Sequence, residues 1–286
     1  MKKKNIFRLL FCTITVVLLL MGTVCACHLK EPDPPIQADS STIEPDNPSS
    51  ETNAPHETDS QPAPSGPAIP TVNRQAELAN AKRANPDTVA WLYIPGAEVD
   101  DPIVQGEDNG YYLNRDELAQ YSLWGCYYAD CRNRFEGRDG LDTNTVIYGH
   151  SASDCDPDGL KFTKLHRYMD AGFVEENPYI YLSVEGDDLI FQVTACFVTD
   201  ISFDYIDPNP DGKTLTAFFE TVDRKNWLDV EGASFSEGDR VLTLSTCCRE
   251  YDQSGDHRLV VMGKLLPADA AAQEFSVTLR ENPEID

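Results

Sequence analysis

Three side chains suited to acyl transfer stand at the ends of apolar, strand-like runs. Val241-Leu242-Thr243-Leu244-Ser245-Thr246 leads into Cys247, and after ten intervening residues Arg258 opens Leu259-Val260-Val261-Met262. An earlier run, Thr145-Val146-Ile147-Tyr148-Gly149, ends on His150. If the first two runs pair as an antiparallel hairpin, Cys247 opposes Arg258, Ser245 opposes Val260 and Thr243 opposes Met262, with opposed Cβ atoms about 4.5–5.5 Å apart. Leu242, Leu244, Leu259, Val261 and Leu265 then face a core, because side chains alternate along a strand. A thiol beside a fixed cation, with an imidazole nearby, is a set for covalent attack on an extended peptide. The thiolate is the nucleophile and an imidazolium protonates the departing amine. The guanidinium favours the thiolate and can donate to an oxyanion. For free side chains the thiolate–imidazolium pairing occupies only about 1% of molecules at neutral pH, so proximity has to enrich it. A buried strand cysteine is the competing reading of Cys247. A papain-like arrangement is disfavoured because the histidine precedes the cysteine here.

Thr-Leu-Ser-Thr-Cys at 243–247, Ile-Tyr-Gly-His at 147–150 and Arg-Leu-Val-Val at 258–261 resemble the signature segments of sortases. Asn85-Pro86-Asp87, Trp91 to Gly96, Pro102 to Gly106 and Tyr111 to Arg115 resemble class B sortases in particular, and the likeness covers roughly residues 85–266. It implies a membrane-anchored extracellular cysteine transpeptidase with Cys247, His150 and Arg258 as its catalytic residues. The substrate would be a secreted protein with a C-terminal sorting motif, cut after Thr to leave a thioester on Cys247. A cell-wall peptide amine would then accept the acyl group. A pilin-polymerising sortase that uses a lysine amine and a non-catalytic sorting-peptide module are the alternatives. Ser245, Thr246, Tyr148 and Cys248 are candidates to line the groove, and the backbone N–H of Cys248 is the natural second oxyanion donor. Cys248 also raises a vicinal disulfide or sulfenate trap beside the nucleophile. Arg249 and Glu250 do not reproduce the acidic residue that class B enzymes often carry after the cysteine.

The elements that must position these residues read as mainly β. Strands are expected at 89–94, 101–105, 123–128, 144–149, 178–184, 188–198, 240–247 and 258–265. Eight strands suggest a closed, sortase-like β-barrel. Val72 to Arg83 predicts an N-terminal helix ended by Asn85-Pro86. Apolar spacing predicts helices over 160–169 and 213–226, the latter a long helix inserted before the cysteine-bearing strand.

Outside this domain, placed at 71–270 with a tail at 271–286, the chain changes character. Lys2, Lys3, Lys4 and Arg8 precede an uncharged stretch from Leu9 to Cys27, about long enough to cross a bilayer. Residues 1–27 therefore read as a single-pass signal anchor with the basic flank inside and the remainder extracytoplasmic; cleavage, and lipidation at Cys27, are the alternatives. Residues 28–70, rich in Pro, Ser, Thr and acidic side chains, read as a disordered tether. The net charge of −25 excludes nucleic acid as a partner.

No metal or cofactor is expected. Nine cysteines include Cys126 and Cys131, close enough to be considered as a pair, but without a zinc-ligand pattern. Asp154 to Gly159 matches the first half of a calcium loop, yet its twelfth position is Leu165, so a helix-capping turn is preferred. His56, His166 and His257 read as surface residues.

Overall fold

A computed structural model describes residues 67–152, 156–250, 255–273, 276–281 and 283–285. The expected anchor, nearly all of the tether, His56, Asp154 and Cys155 lie outside the described residues. Among those described, no helix is long and apolar enough to cross a membrane.

Helix α1 (Gln75–Ala84) precedes β1 (Thr88–Ile94), β2 (Val99–Val104), the short β3 (Tyr128–Ala129), a one-turn α2 (Gly137–Gly140) and β4 (Asn144–Tyr148). A 3-10 stretch, Phe162–Met169, leads into α3 (Ala171–Glu176), β5 (Tyr179–Val184), β6 (Asp187–Thr199) and α4 (Gly212–Lys225). The chain then forms β7 (Leu228–Val230), β8 (Val241–Cys247), β9 (Arg258–Leu265) and β10 (Val277–Leu279). Eight of these strands close into a barrel in the order β1-β2-β3-β4-β8-β9-β6-β5. The ring closes where β5 returns to β1, with Leu92 opposite Leu182.

The barrel is stable because period-two alternation sends one face of each strand inward. Leu92, Ile94, Ile103, Ile147, Ile180, Leu182, Leu242, Leu244 and Val261 are buried there. Each such side chain contributes about 1.5–3 kcal/mol. A second apolar layer lies outside: Phe218 and Val222 of α4 pack on Phe197 of β6 and on Val260 and Met262 of β9, with Phe203 and Tyr205 between them. Helix α4 thus supports the loop that carries Tyr205.

Three expectations change. The run 123–128 forms a strand only at its end, where Tyr128 pairs with Val104 and Tyr148. Gly125 takes φ +54 and donates to Ser122, so the chain turns there and leaves Trp124 exposed. The 160–169 helix is 3-10 rather than α. The described residues of the tail beyond 270 are tied in: β10 pairs with β7, Ala271 bridges Ala68, and Arg280 pairs with Asp223 at 2.8 Å.

Candidate active site

Strand register brings the three expected residues together. β8 and β9 pair as predicted, with Cys247 opposite Arg258, Ser245 opposite Val260 and Thr243 opposite Met262. On its other edge β8 runs parallel to β4 with Ser245 level with Tyr148, and the ladder continues from Gly149 N–H to the Ser245 carbonyl at 3.2 Å. His150 and Cys247 each lie two residues past that matched pair, so they share a level and a face. Cys247 therefore sits between a histidine on one neighbouring strand end and an arginine on the other. All three line one groove of about 320 Å³.

The flanking groups are held by backbone carbonyls. His150 Nε2 donates to the Leu113 carbonyl at 2.6 Å, which fixes a proton on that nitrogen. Gly125 makes this approach feasible: a Cβ there would stand 2.7 Å from the Leu113 oxygen and 3.1 Å from His150 Cδ2. Arg258 Nη1 donates to the carbonyls of Gly255 at 2.6 Å and His257 at 2.9 Å.

Of the expected groove residues, Tyr148 and Ser245 line the cavity and also carry its wall. The Ser245 and Tyr205 hydroxyls share a 2.9 Å hydrogen bond, which ties β8 to the aromatic layer under α4. Tyr148 donates to Asp130 at 2.7 Å. Asp130 is buried and also accepts from Arg132 Nε at 2.8 Å, Arg132 Nη2 at 2.9 Å and Asn109 Nδ2 at 2.9 Å. Burial raises its carboxyl, but the Arg132 guanidinium and backbone N–H, with Tyr148 and Asn109, outweigh that and hold it at about 2. Burial and then the bond to Asp130 push the Tyr148 phenol well above its ordinary value.

Thr246 borders the groove, yet its side chain points inward and its hydroxyl is buried. Cys248 does not belong to the groove. It is one step out of phase with Cys247, so its side chain packs in the barrel core, and its N–H is spent on the His257 carbonyl at 3.0 Å. Neither the second oxyanion donor nor the vicinal trap expected of it is in place. Cys126 and Cys131 form no disulfide, and burial pushes the Cys126 thiol up to about 12. His166, expected at the surface, is buried, with Nδ1 donating to the Thr163 carbonyl at 2.8 Å.

Sequence reasoning missed Asn109, Leu113, Ile201, Tyr205 and Ile206 as groove residues. They come from two loops without periodicity. Their one available signal was the 111–115 segment, already part of the class B resemblance.

A sortase-domain family model matches residues 92–266, which spans every strand from β2 to β9 and the whole groove. The chain belongs to the sortase family. This sortase is 33% identical to sortase B of Listeria monocytogenes over 66% of its own length and 74% of the relative's. A Staphylococcus aureus sortase B–substrate complex superposes with TM-score 0.59 at 26% identity, covering 68% of this chain and 86% of that one. Clostridium perfringens sortase B superposes with TM-score 0.58 at 26% identity, covering 66% and 99%. These relatives make it a class B sortase, a cysteine transpeptidase built on the closed barrel expected from its strand pattern.

Proposed function

We propose that this transpeptidase cleaves secreted proteins at a C-terminal sorting motif, after Thr, and passes the acyl group to an amine of the cell-wall peptide. The enzyme works from the cell membrane, held by the 9–27 segment in a single pass with the barrel outside. One observation carries the catalytic assignment: Cys247 stands between His150 and Arg258 at the shared end of three adjacent strands, inside a peptide-sized groove.

The thiolate of Cys247 attacks the Thr carbonyl, and Arg258 donates from Nε and Nη2 to the developing oxyanion. Arg258 is the fitted donor because the Cys248 N–H is already committed to His257. His150 gives a proton to the departing amine, leaving a thioester. The acceptor amine reverses these steps and regenerates the thiolate. An extended donor lies along Tyr148 and Ser245, whose hydroxyls are already fixed by Asp130 and Tyr205.

The test uses a library of sorting-type peptides and reads the trapped thioester by mass. Cys247→Ala should abolish the adduct and cleavage while peptide binding persists; undiminished cleavage would end the assignment. Arg258→Lys keeps the charge but not the fork and should lower kcat about 100-fold.

A further inference from the structure

Strand β9 pairs along both edges, so Arg258 has an opposed residue on each side. Cys247 of β8 is one, and Thr199, the last residue of β6, is the other. Directly opposed residues of an antiparallel pair send their side chains to the same face. Cys247, Arg258 and Thr199 therefore form one row across three strands, with successive Cβ atoms about 4.5–5.5 Å apart. Alternation along β6 agrees: Val198 packs in the barrel core and Phe197 in the outer aromatic layer, which puts Thr199 on the outer face. Two residues on, Ile201 lines the groove.

Thr199 is fully buried, yet its Oγ1 has no hydrogen-bond partner among the described residues. Thr145, Tyr168 and Thr246 carry buried hydroxyls in the same condition. Thr145 and Thr246 are in phase with the inward residues Ile147 and Leu244, however, and Tyr168 packs in the barrel core. Thr199 is the member of this set that stands on the face of Cys247 and Arg258. A hydroxyl kept from water without a partner destabilises the folded chain, so it calls for a role that the resting molecule does not display. The donor beside it in the row is Arg258. At rest Nη1 of that residue lies on the carbonyls of Gly255 and His257, which belong to the chain leading into β9 rather than to the neighbouring strands. A guanidinium has five N–H groups in one plane. An oxyanion at Cys247 takes up two at most, and a third held by the scaffold would fix that plane.

We propose that Thr199 is a positioning residue of the reaction: as an oxyanion develops at Cys247, Thr199 Oγ1 accepts an N–H of Arg258 that the oxyanion does not use, and so holds the guanidinium in place. The inference rests on the transpeptidase reading above and adds a residue that acts through Arg258. A bond absent at rest and made as the oxyanion forms stabilises the transition state more than the free enzyme or the bound peptide. Its loss therefore shows in kcat and leaves KM in place.

The experiment is Thr199→Val in the full chain, which keeps the side-chain shape, removes the hydroxyl and should move stability and activity in opposite directions. The unfolding midpoint should rise by about 2–4 °C, because an unpartnered polar group is gone. With the best thioester-forming peptide of the library, kcat should fall about tenfold while KM stays within about twofold. Thr199→Ser restores an acceptor and should bring kcat back to within about threefold of the natural value. In an Arg258→Met background, Thr199→Val should change the single-turnover rate of thioester formation by less than about twofold, since the group it works through is absent. The proposal is overturned if the natural chain is active and Thr199→Val keeps its kcat, if serine is no better than valine, or if valine causes a further loss in the Arg258→Met background. A midpoint that falls overturns it too, because the hydroxyl would then be partnered at rest. A natural chain that forms no thioester with any peptide sinks the transpeptidase reading and this inference with it, whereas the other failures leave that reading standing.

Discussion

Asp130 and His166 are both withdrawn from water, and both have depressed pKa values, yet the depression means opposite things. Asp130 stays charged because its carboxylate collects donors from Arg132, Tyr148 and Asn109. His166 stays neutral: desolvation lowers its value more than the Thr163 carbonyl and the charge of Glu250 raise it. Its Nε2 is buried without a hydrogen-bond partner among the described residues. Burial by itself does not decide the charge state; the supply of partners does. The better-supplied group is the one that braces the groove, since Tyr148 and Asn109 both line it.

The comparison breaks most visibly at Asp130. Asp130→Ala strands Arg132, Tyr148 and Asn109 together and should cost about 3 kcal/mol in urea unfolding, at the lower end for a broken buried pair because Arg132 is 46% exposed. The same variant should raise KM for the donor peptide; a loss below about 1 kcal/mol would mean the network is not cooperative. Tyr148→Phe removes a single bond and should cost about 1–1.5 kcal/mol. The pH dependence separates the two groups. A free aspartate titrates near 3.9, so the contribution of Asp130 is complete above about pH 4 and is lost as pH falls through about 2. Asp130→Asn should flatten that limb. The unfolded histidine takes up its proton near 6.5 and buried His166 resists it, so stability is fullest above about 6.5 and erodes as pH falls below it. His166→Leu should remove this shallower limb and change stability at pH 7 by less than about 1 kcal/mol. A large loss there would show that the Thr163 bond, not apolar packing, is what His166 supplies.

How much of this could be read from the chain depended on periodicity. The β8–β9 register followed from alternation, and with it the pairing of Cys247 with Arg258 and the inward set Leu242, Leu244, Leu259 and Val261. The same rule taken one residue further puts Cys248 inside; adjacency to the nucleophile was the misleading cue. Helix α4 was legible from the spacing of Leu215, Phe218 and Val222. The stretch from 106 to 127 was not. Leu123-Trp124-Gly125-Cys126 has strand-like composition, but Gly125 turns the chain so that it can press on His150. The Asp130 network was illegible for another reason: its partners Asn109, Arg132 and Tyr148 converge only once the barrel has closed. His166 eluded the reading because a polar residue on a short 3-10 segment carries no periodic sign of burial.

The pairing of Ala68 with Ala271, reinforced by the Ala272 N–H on the Pro67 carbonyl at 2.7 Å, has a mechanical side. A pull on the chain ahead of Pro67 would meet this latch first, then the start of α1, where Arg74 pairs with Asp100 and Gln75 donates to the Val184 and Asp187 carbonyls, and only behind these β1, which is laced to a neighbour along both edges. The latch can peel open under tension while the strands that carry the reactive sulfur keep their alignment, much as a fuse yields before the circuit it guards.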